Sequence, residues 1–396
     1  MVRSEDDSQR RSVNSITSQS SVGSPIKTPQ FSSQGNRVNL AQPDLSLTVQ
    51  DAPVEFLPAN VGVLRQSPVP FNRGRSIASN STPFDPLTGY GAVNAALAVA
   101  AAVGQPRFAD VPDRNVPDVG VDRVNAPEAW QRGYTGQNVV VAVVDTGVDY
   151  THADLNDNIW RNTREVANGR DDDGNGYIDD LTGWNFVRNN NNPIDRDGHG
   201  THVAGTIAAE NNGFGTTGVA FNAKIMPVKV LNDSGVGTAA SVAAGIRYAA
   251  MNGADVINLS LGGGFSPAID RAIQFATQRG AVVVMAAGNE GSSQPGFPAQ
   301  AARRWGIAVG AIDSSSRLAS FSNRAGSTPL DYVVAPGVSV YSTLPGNQYG
   351  FLSGTSMAAP HVAGVAALML GVNRSLTPGQ VESILTATAN PLAPIA

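Results

Sequence analysis

The chain has 396 residues, 41% of them apolar, a net charge of −5 and no cysteine. That length allows one large domain or two ordinary ones around a sizeable core. The lack of thiols excludes disulfides, thiol nucleophiles and Cys-zinc sites, and the acidic balance argues against nucleic acid as a partner, because phosphate binding draws on a basic surface.

In chain order, residues 1–50 are rich in Ser and Gln and poor in large apolar side chains. Such a segment buries too little surface to offset the entropy of ordering, so a disordered tail is predicted. Its opening, MVRSEDDSQRRSVNS, carries charge with no apolar run behind it. No signal peptide is recognisable there, which makes the cytoplasm the default expectation, leaves export open and leaves the compartment unassigned. Residues 51–112 read as a Pro-rich linker or pro-segment, and the Ala-rich TGYGAVNAALAVAAAV (88–103) predicts a helix near 91–103. From 113 to 396 the pattern changes. NVVVAVVDTG (138–147), KIMPVKVL (224–231), DVINLSLGG (255–263) and AVVVMAAGNEG (281–291) are short apolar runs ending in Gly or polar residues. Between them lie the helical patterns THVAGTIAAE, AASVAAGIRYAAMNG and SPAIDRAIQFATQRG. The alternation predicts an α/β fold, a three-layer doubly wound and mostly parallel sheet with helices on both faces. MAAPHVAGVAALMLGV holds Pro360 and His361 and is short for a membrane span, so it reads as a buried helix, and no stable span and a monomer are expected.

In such sheets ligands bind beyond the carboxyl ends of the strands. Asp145, Ser260 and Asn289 stand there, and each taken singly reads equally as turn chemistry after a strand. Three segments change the weighing: VVDTGVD carries Asp145, DGHGTHVAGT carries His199, and SGTSMAAPHVAG carries Ser356. A serine hydroxyl is a weak nucleophile that needs an adjacent base. An imidazole serves when a buried carboxylate fixes its tautomer and stabilises the imidazolium.

With NLSLGGG, VVVMAAGNEG, FSN and APGVSVYSTLPG, these segments make the stretch from about Val116 to Asn390 resemble the catalytic domain of the subtilisin family of serine endopeptidases. The resemblance implies that Asp145 orients the base, His199 is the general base and acid, and Ser356 is the nucleophile. It implies an oxyanion site made by the Asn289 side chain and the Ser356 N–H, assisted by the Thr355 hydroxyl. A protein or peptide substrate would lie as an added strand between Ser234, Gly235 and Gly237 on one side and Ser260, Leu261 and Gly262 on the other. Ala287, Gly288 and Gly296 would line the pocket for the residue before the cut, which implies broad specificity favouring large apolar or aromatic residues, with Glu290 at the rim admitting Lys or Arg. His202 is structural in the family, the alternative being a His-x-x-His metal pair with His199. His361 is expected to pack, and His152 reads as a surface turn residue.

Asp145 and His199 are 54 residues apart, farther than in short family members, and the segment near 159–186 reads as an insertion. Within it RDDDGNGYIDD (170–180) resembles the first nine positions of an EF-hand loop. Asp171, Asp173, Asn175, the Tyr177 carbonyl and Asp179 or Asp180 would supply oxygens to Ca²⁺. Thr182, at the twelfth position, departs from the EF-hand glutamate, and a solvated acidic turn is the plain alternative. The resemblance implies a second Ca²⁺ site from Asp154, Asn212 and the carbonyls of Glu210, Phe214 and Thr216, with Asn115 as a sixth ligand. The leading expectation is a calcium-stabilised or calcium-activated serine endopeptidase; the alternative is a catalytically silent relative that binds calcium and peptides. GYGAVNA (89–95) carries the Gly-x-Gly-x-x-Asn-Ala signature that relatives show at their final helix. The helix after it is therefore expected either to pack in that helix's place or to stand apart as a linker.

Overall fold

The computed structural model describes residues 2–4, 83–114 and 120–392. Most of the expected tail and linker, and Asn115, lie outside these residues. Within that tail Val2–Ser4 is a strand, β1.

The remaining strands are β2 (Val140–Asp145), β3 (Trp184–Asn185), β4 (Lys224–Lys229), β5 (Val236–Gly237), β6 (Val256–Leu259), β7 (Leu261–Gly263), β8 (Val282–Ala286), β9 (Ile307–Ile312), β10 (Tyr332–Pro336), β11 (Val340–Leu344) and β12 (Gln348–Leu352). The helices are α1 (Ala95–Ala102), α2 (Gly120–Arg123), α3 (Ala126–Trp130), α4 (His199–Ala208), α5 (Ala239–Met251), α6 (Pro267–Gln278), α7 (Thr355–Val372) and α8 (Pro378–Ala387). Seven strands form one sheet in the order β10-β9-β8-β6-β2-β4-β3. Every neighbouring pair in it is parallel.

Alternate side chains of a strand face opposite sides, and both sides are buried here. Val141 and Val143 of β2 join a core with residues of α4 and α7, whereas Ala142 and Val144 join a second core with residues of α5 and α6. The expected three layers follow from this division. After β2 the chain adds β4 on one side and β6 on the other. The strand order therefore reverses at β2, and Asp145 ends the strand at that switch point, where a crevice opens. The run DVINLSLGG does not stay one strand. It breaks at Ser260 into β6 of the main sheet and β7 of a separate three-stranded sheet. β9, β10 and the β11–β12 hairpin were not among the individually predicted strands.

Helix α7 is apolar enough to cross a membrane by length and composition, but nearly all of it is buried in the core, as expected for a central helix.

The domain boundary expected near residue 112 needs correcting. Residues 90–93 lie against the edge of the main sheet: Tyr90 N–H donates to Tyr332 O (3.0 Å) and Val93 N–H to Val334 O (2.9 Å). On the other side, Ala92 and Asn390 exchange both backbone bonds at 2.7 and 2.8 Å. Gly91, at φ 107°, is required there, because a Cβ would lie 2.1 Å from the Asn390 carbonyl oxygen. The Asn94 side chain caps α1 by accepting from Leu97 N–H (2.9 Å), and six of the helix's eight residues are buried. Asn373, following α7, donates to the Ala102 carbonyl (2.9 Å). The helix thus packs in the core of the domain, and its predicted span of 91–103 shortens because Asn94 is its cap.

On α8, Glu382 accepts from Gly306 N–H (3.0 Å) and is only 7% exposed. Burial, reinforced by the Asp331 charge, raises its pKa from 4.5 to about 7. The neutral form costs nothing below pH 4.5, and a penalty grows as the pH rises from there through 7. Glu382→Gln is therefore expected to raise the melting temperature by about 2–4 °C at pH 8 and by nothing at pH 4. Equal shifts at both pH values, read by calorimetry, would contradict this.

Candidate active site

Asp145 and His199 come together at the switch point. His199 Nδ1 lies 2.8 Å from Asp145 Oδ1, both side chains fully buried. The carboxylate can only accept, so Nδ1 carries the proton and Nε2 is the ring's acceptor. Asp145 Oδ1 also accepts from Thr146 N–H (2.6 Å). His199 opens α4, whose N-cap is Gly198 at φ 106°.

Ser356 is the second residue of α7 and is fully buried. Its Oγ donates to the Ser260 carbonyl (3.3 Å), and Ser260 Oγ donates to the Ser356 carbonyl (2.8 Å). Pro360 explains the second bond. A proline four residues on has no N–H for that carbonyl, and Ser260 takes the open position. Asn258 Nδ2 donates to Ser260 Oγ (2.9 Å) and holds it there. Asn289 Oδ1 accepts from Thr355 N–H (2.8 Å) and Thr355 Oγ1 (3.0 Å), which turns its amide nitrogen the other way. Gly288 N–H donates to Thr355 Oγ1 (3.1 Å).

The three-stranded sheet marks the slot beside these residues. β1 runs antiparallel to both β5 and β7, pairing Val2 with Gly237 and Gly263, Arg3 with Val236 and Gly262, and Ser4 with Leu261. A segment of this chain thus lies between the two edges expected to flank a peptide. Of the expected edge residues, Gly237, Leu261 and Gly262 pair directly, while Ser234 and Gly235 stand in the turn before β5. Ala287, Gly288 and Gly296 are also together: Gly296 N–H donates to the Ala287 carbonyl (2.8 Å). A Cβ on Gly296 would meet nothing closer than 3.6 Å, so the pocket has room there.

Asn323 of the FSN segment braces this wall, a role the sequence did not reveal. It is 1% exposed. Its Nδ2 donates to the Ala287 carbonyl (3.0 Å) and to Glu290 Oε2 (2.6 Å), and its Oδ1 accepts from Ser292 N–H (2.8 Å). Glu290 is exposed, but its carboxylate is turned to Asn323.

The other histidines are settled by their partners. His202 Nε2 donates to the Val340 carbonyl (3.0 Å), and burial lowers its pKa to about 3. A neutral ring spent on a carbonyl supports the structural role over the metal pair. His361 Nδ1 donates to the Met357 carbonyl (2.9 Å) inside α7. His152 is not a surface residue. It is fully buried, donating from Nε2 to the Gln348 carbonyl (3.1 Å) and accepting at Nδ1 from Asp154 N–H (3.1 Å).

In the insertion, oxygens of Glu165, Asp173 and Asp180 lie within 4.8 Å of one another. Glu165 was not anticipated. It reaches the loop from five residues before RDDDGNGYIDD and accepts from the N–H groups of Asp172 (2.8 Å), Asp173 (3.0 Å) and Asp179 (3.1 Å). Asp180 accepts from Tyr248 OH (2.5 Å), Asn162 (2.8 Å) and Asn175 (3.1 Å), and burial raises its pKa despite these bonds. Asp171 accepts from the Asn175 and Gly176 N–H groups at 3.1 and 2.8 Å. Tyr177 packs its ring edge-on against Trp184, Phe186 and Tyr248. Asp179 is corrected: at φ 54° its carboxylate turns to the Asn168 and Gly169 N–H groups. Buried converging carboxylates, offset by the Arg164–Asp173 pair at 3.0 Å alone, have the donor chemistry of a hard-cation site.

Around the second expected site, Asp154 accepts from Asn212 Nδ2 (3.0 Å), Thr216 N–H (3.0 Å) and Tyr349 OH (3.3 Å), and burial raises its pKa to about 6. Glu210 N–H donates to the Asp154 carbonyl (3.0 Å), and Phe214 N–H to Asn212 Oδ1 (3.3 Å), so the loop closes over this carboxylate.

The family model described as the subtilase family matches residues 136–395. Over 276 residues the chain is 46% identical to subtilisin E of Bacillus subtilis (strain 168), covering 68% of this chain and 65% of that protein. It is 44% identical over 278 residues to subtilisin DY of Bacillus licheniformis, covering 69% of this chain and 91% of that one. Among solved structures, that of a cold adapted subtilisin-like serine proteinase superposes with a TM-score of 0.54 at 38% identity, covering 66% of this chain and 86% of the other.

Proposed function

Because the chain belongs to the subtilase family, we propose that it is a serine endopeptidase using Ser356, His199 and Asp145. The observation that carries the reading is the buried Asp145–His199 pair at 2.8 Å, set at the strand-order switch beside a slot that already takes an extended segment. An incoming peptide would take the place β1 holds. Ser356 Oγ adds to the scissile carbonyl while its proton passes to His199 Nε2. Asp145 keeps the proton on Nδ1 and stabilises the imidazolium. Asn289 Nδ2 and the Ser356 N–H meet the developing oxyanion. The C–N bond then breaks, His199 returns the proton to the leaving amine, and water repeats the cycle on the acyl-enzyme.

The test is labelling with a fluorophosphonate. Wild type is expected to label and Ser356→Ala is not; an unlabelled wild type in the presence of calcium overturns the enzyme reading.

The open wall at Gly296 supports a preference for large apolar or aromatic residues before the cut. Because Glu290 is engaged by Asn323, basic residues come second. A peptide-library profile confined to acidic residues at that position would refute this preference.

Calcium belongs to the same reading. Glu165, Asp173 and Asp180, with Asp171 and the Tyr177 carbonyl, would hold one ion, and Asp154 with the 210–216 loop a second. Such ions supply stability to the segment that leads from Asp145 to His199 and take no part in the bond-breaking steps.

A further inference from the structure

Asp195 lies four residues before His199 and is 3% exposed. Its Oδ1 accepts from Thr146 Oγ1 (3.0 Å), Asp197 N–H (3.0 Å) and Gly198 N–H (3.1 Å). Its Oδ2 accepts from Thr201 N–H (2.9 Å) and Thr201 Oγ1 (2.7 Å). Five donors on one buried carboxylate join two pieces of chain. One is the residue directly after Asp145. The other is the turn and first helical turn that carry His199.

The local geometry shows why that link matters. The first N–H groups of a helix have no partner within it, and the N-cap of α4 is Gly198, which has no side chain to offer. Asp195 does the capping from three residues earlier, and its charge suits the positive end of the helix. Thr146 Oγ1, while donating to Asp195, accepts from Gly200 N–H (2.9 Å). Gly200 itself is pressed onto the strand end: a Cβ there would lie 2.0 Å from the Gly147 carbonyl oxygen and 3.2 Å from Asp145 Cβ. The start of α4 and the end of β2 are therefore docked at backbone contact, with Asp195 as the clamp.

We propose that Asp195 is a positioning residue for the reaction, fixing the His199 imidazole against Asp145 by tying Thr146 to the first turn of α4. The proposal rests on the serine endopeptidase reading. Asp195 touches neither substrate nor the reacting atoms. The charged and titratable groups around His199 are Asp145 on β2, Asp195, Arg196 and Asp197 on its approach, Asp149 in the turn after β2, neutral His202 on α4, and Lys229 on β4, whose Nζ donates to the Thr146 carbonyl. Removing the Asp195 charge takes one anion from that set and should make the imidazolium easier to deprotonate.

Asp195→Asn is the first test, because both carboxylate oxygens face N–H donors and an amide must set its NH₂ against one group of them. On a short chromogenic peptide, kcat is expected to fall about 10- to 100-fold with KM within about twofold, as for a misplaced catalytic group. The acidic limb of the kcat/KM profile is expected to move to lower pH. A folded Asp195→Asn protein with kcat within twofold of wild type and an unmoved limb overturns the proposal. Thr146→Val keeps the charge and the helix cap but cuts the link to β2. It is expected to lower kcat about 5- to 10-fold with the limb in place, and unchanged kcat in Thr146→Val also overturns the proposal, even if Asp195→Asn fails to fold. Fluorophosphonate labelling of wild type keeps the two readings apart. No label defeats the endopeptidase reading, whereas a labelled wild type with fully active variants defeats only the role of Asp195.

Discussion

Asn289→Ala is expected to lower kcat by about a hundred- to a thousand-fold while KM and the melting temperature stay near wild type, the size that loss of such a donor has in subtilisins themselves. The reason is the aim of the amide. Thr355 holds Asn289 Oδ1 through two bonds, at 2.8 and 3.0 Å, so the side chain is oriented before any substrate arrives. A preorganised donor adds to the stability of the charged intermediate without reorganising at the moment of reaction. Gly354 offers an independent check. A Cβ on Gly354 would lie 3.4 Å from Asn289 Nδ2 and 3.7 Å from the Ser356 nitrogen, in the space between the two donors. Gly354→Ala is therefore expected to cost a similar factor in kcat by filling that space. The backbone there is extended, at φ 162°, so alanine adopts it without strain and the melting temperature should barely move. If Gly354→Ala and Asn289→Ala both keep kcat within threefold of wild type, the oxyanion site lies elsewhere.

Removing calcium is expected to lower the melting temperature by about 5–10 °C. An ion bound only by the folded chain, at a hundred times its dissociation constant, adds about 2.7 kcal/mol, which corresponds to several degrees in a domain of this size. Glu165, Asp173 and Asp180 converge in a buried site, and without a cation their mutual repulsion opposes folding. Scanning calorimetry in EGTA and in millimolar CaCl₂ would measure the difference. Asp180→Asn should lose most of the calcium-dependent part. Identical melting in EGTA and calcium would leave the insertion as a structured acidic loop with no ion. Activity followed through the same titration separates stability from control: kcat should stay flat until unfolding begins.

The residues of the site were legible because each stands in a short contiguous segment at a strand or helix end. VVDTGVD, DGHGTHVAGT and SGTSMAAPHVAG need no knowledge of distant chain, since glycine-flanked polar residues beside apolar runs already point to the rim of a parallel sheet. The same locality explains what was missed. Glu165 joins Asp173 and Asp180 only because the insertion doubles back on itself. Asn323 acts on a wall that begins 36 positions earlier, at Ala287. His152 looked like a turn residue, and its burial comes from the β11–β12 hairpin, through the Gln348 carbonyl 196 positions away. Asp179 and Asp180 are adjacent and chemically identical, and only the left-handed turn at Asp179 sends one carboxylate away from the cluster and leaves the other in it.

By itself the sequence determined the chemistry on offer and the layer order: which strands are buried on both faces, which residues end them, and which acid, base and hydroxyl are available. Those properties are set by local composition and by the two-residue and 3.6-residue periods of strand and helix. The tertiary structure alone decided which distant groups meet. It placed α1, from upstream, in the core beside α7; it put residues 2–4 between β5 and β7; and it made Asp195 the clamp between β2 and α4. Such choices turn on burial and on partners far apart in the chain, where a buried donor or carboxylate must find its complement wherever the fold supplies one.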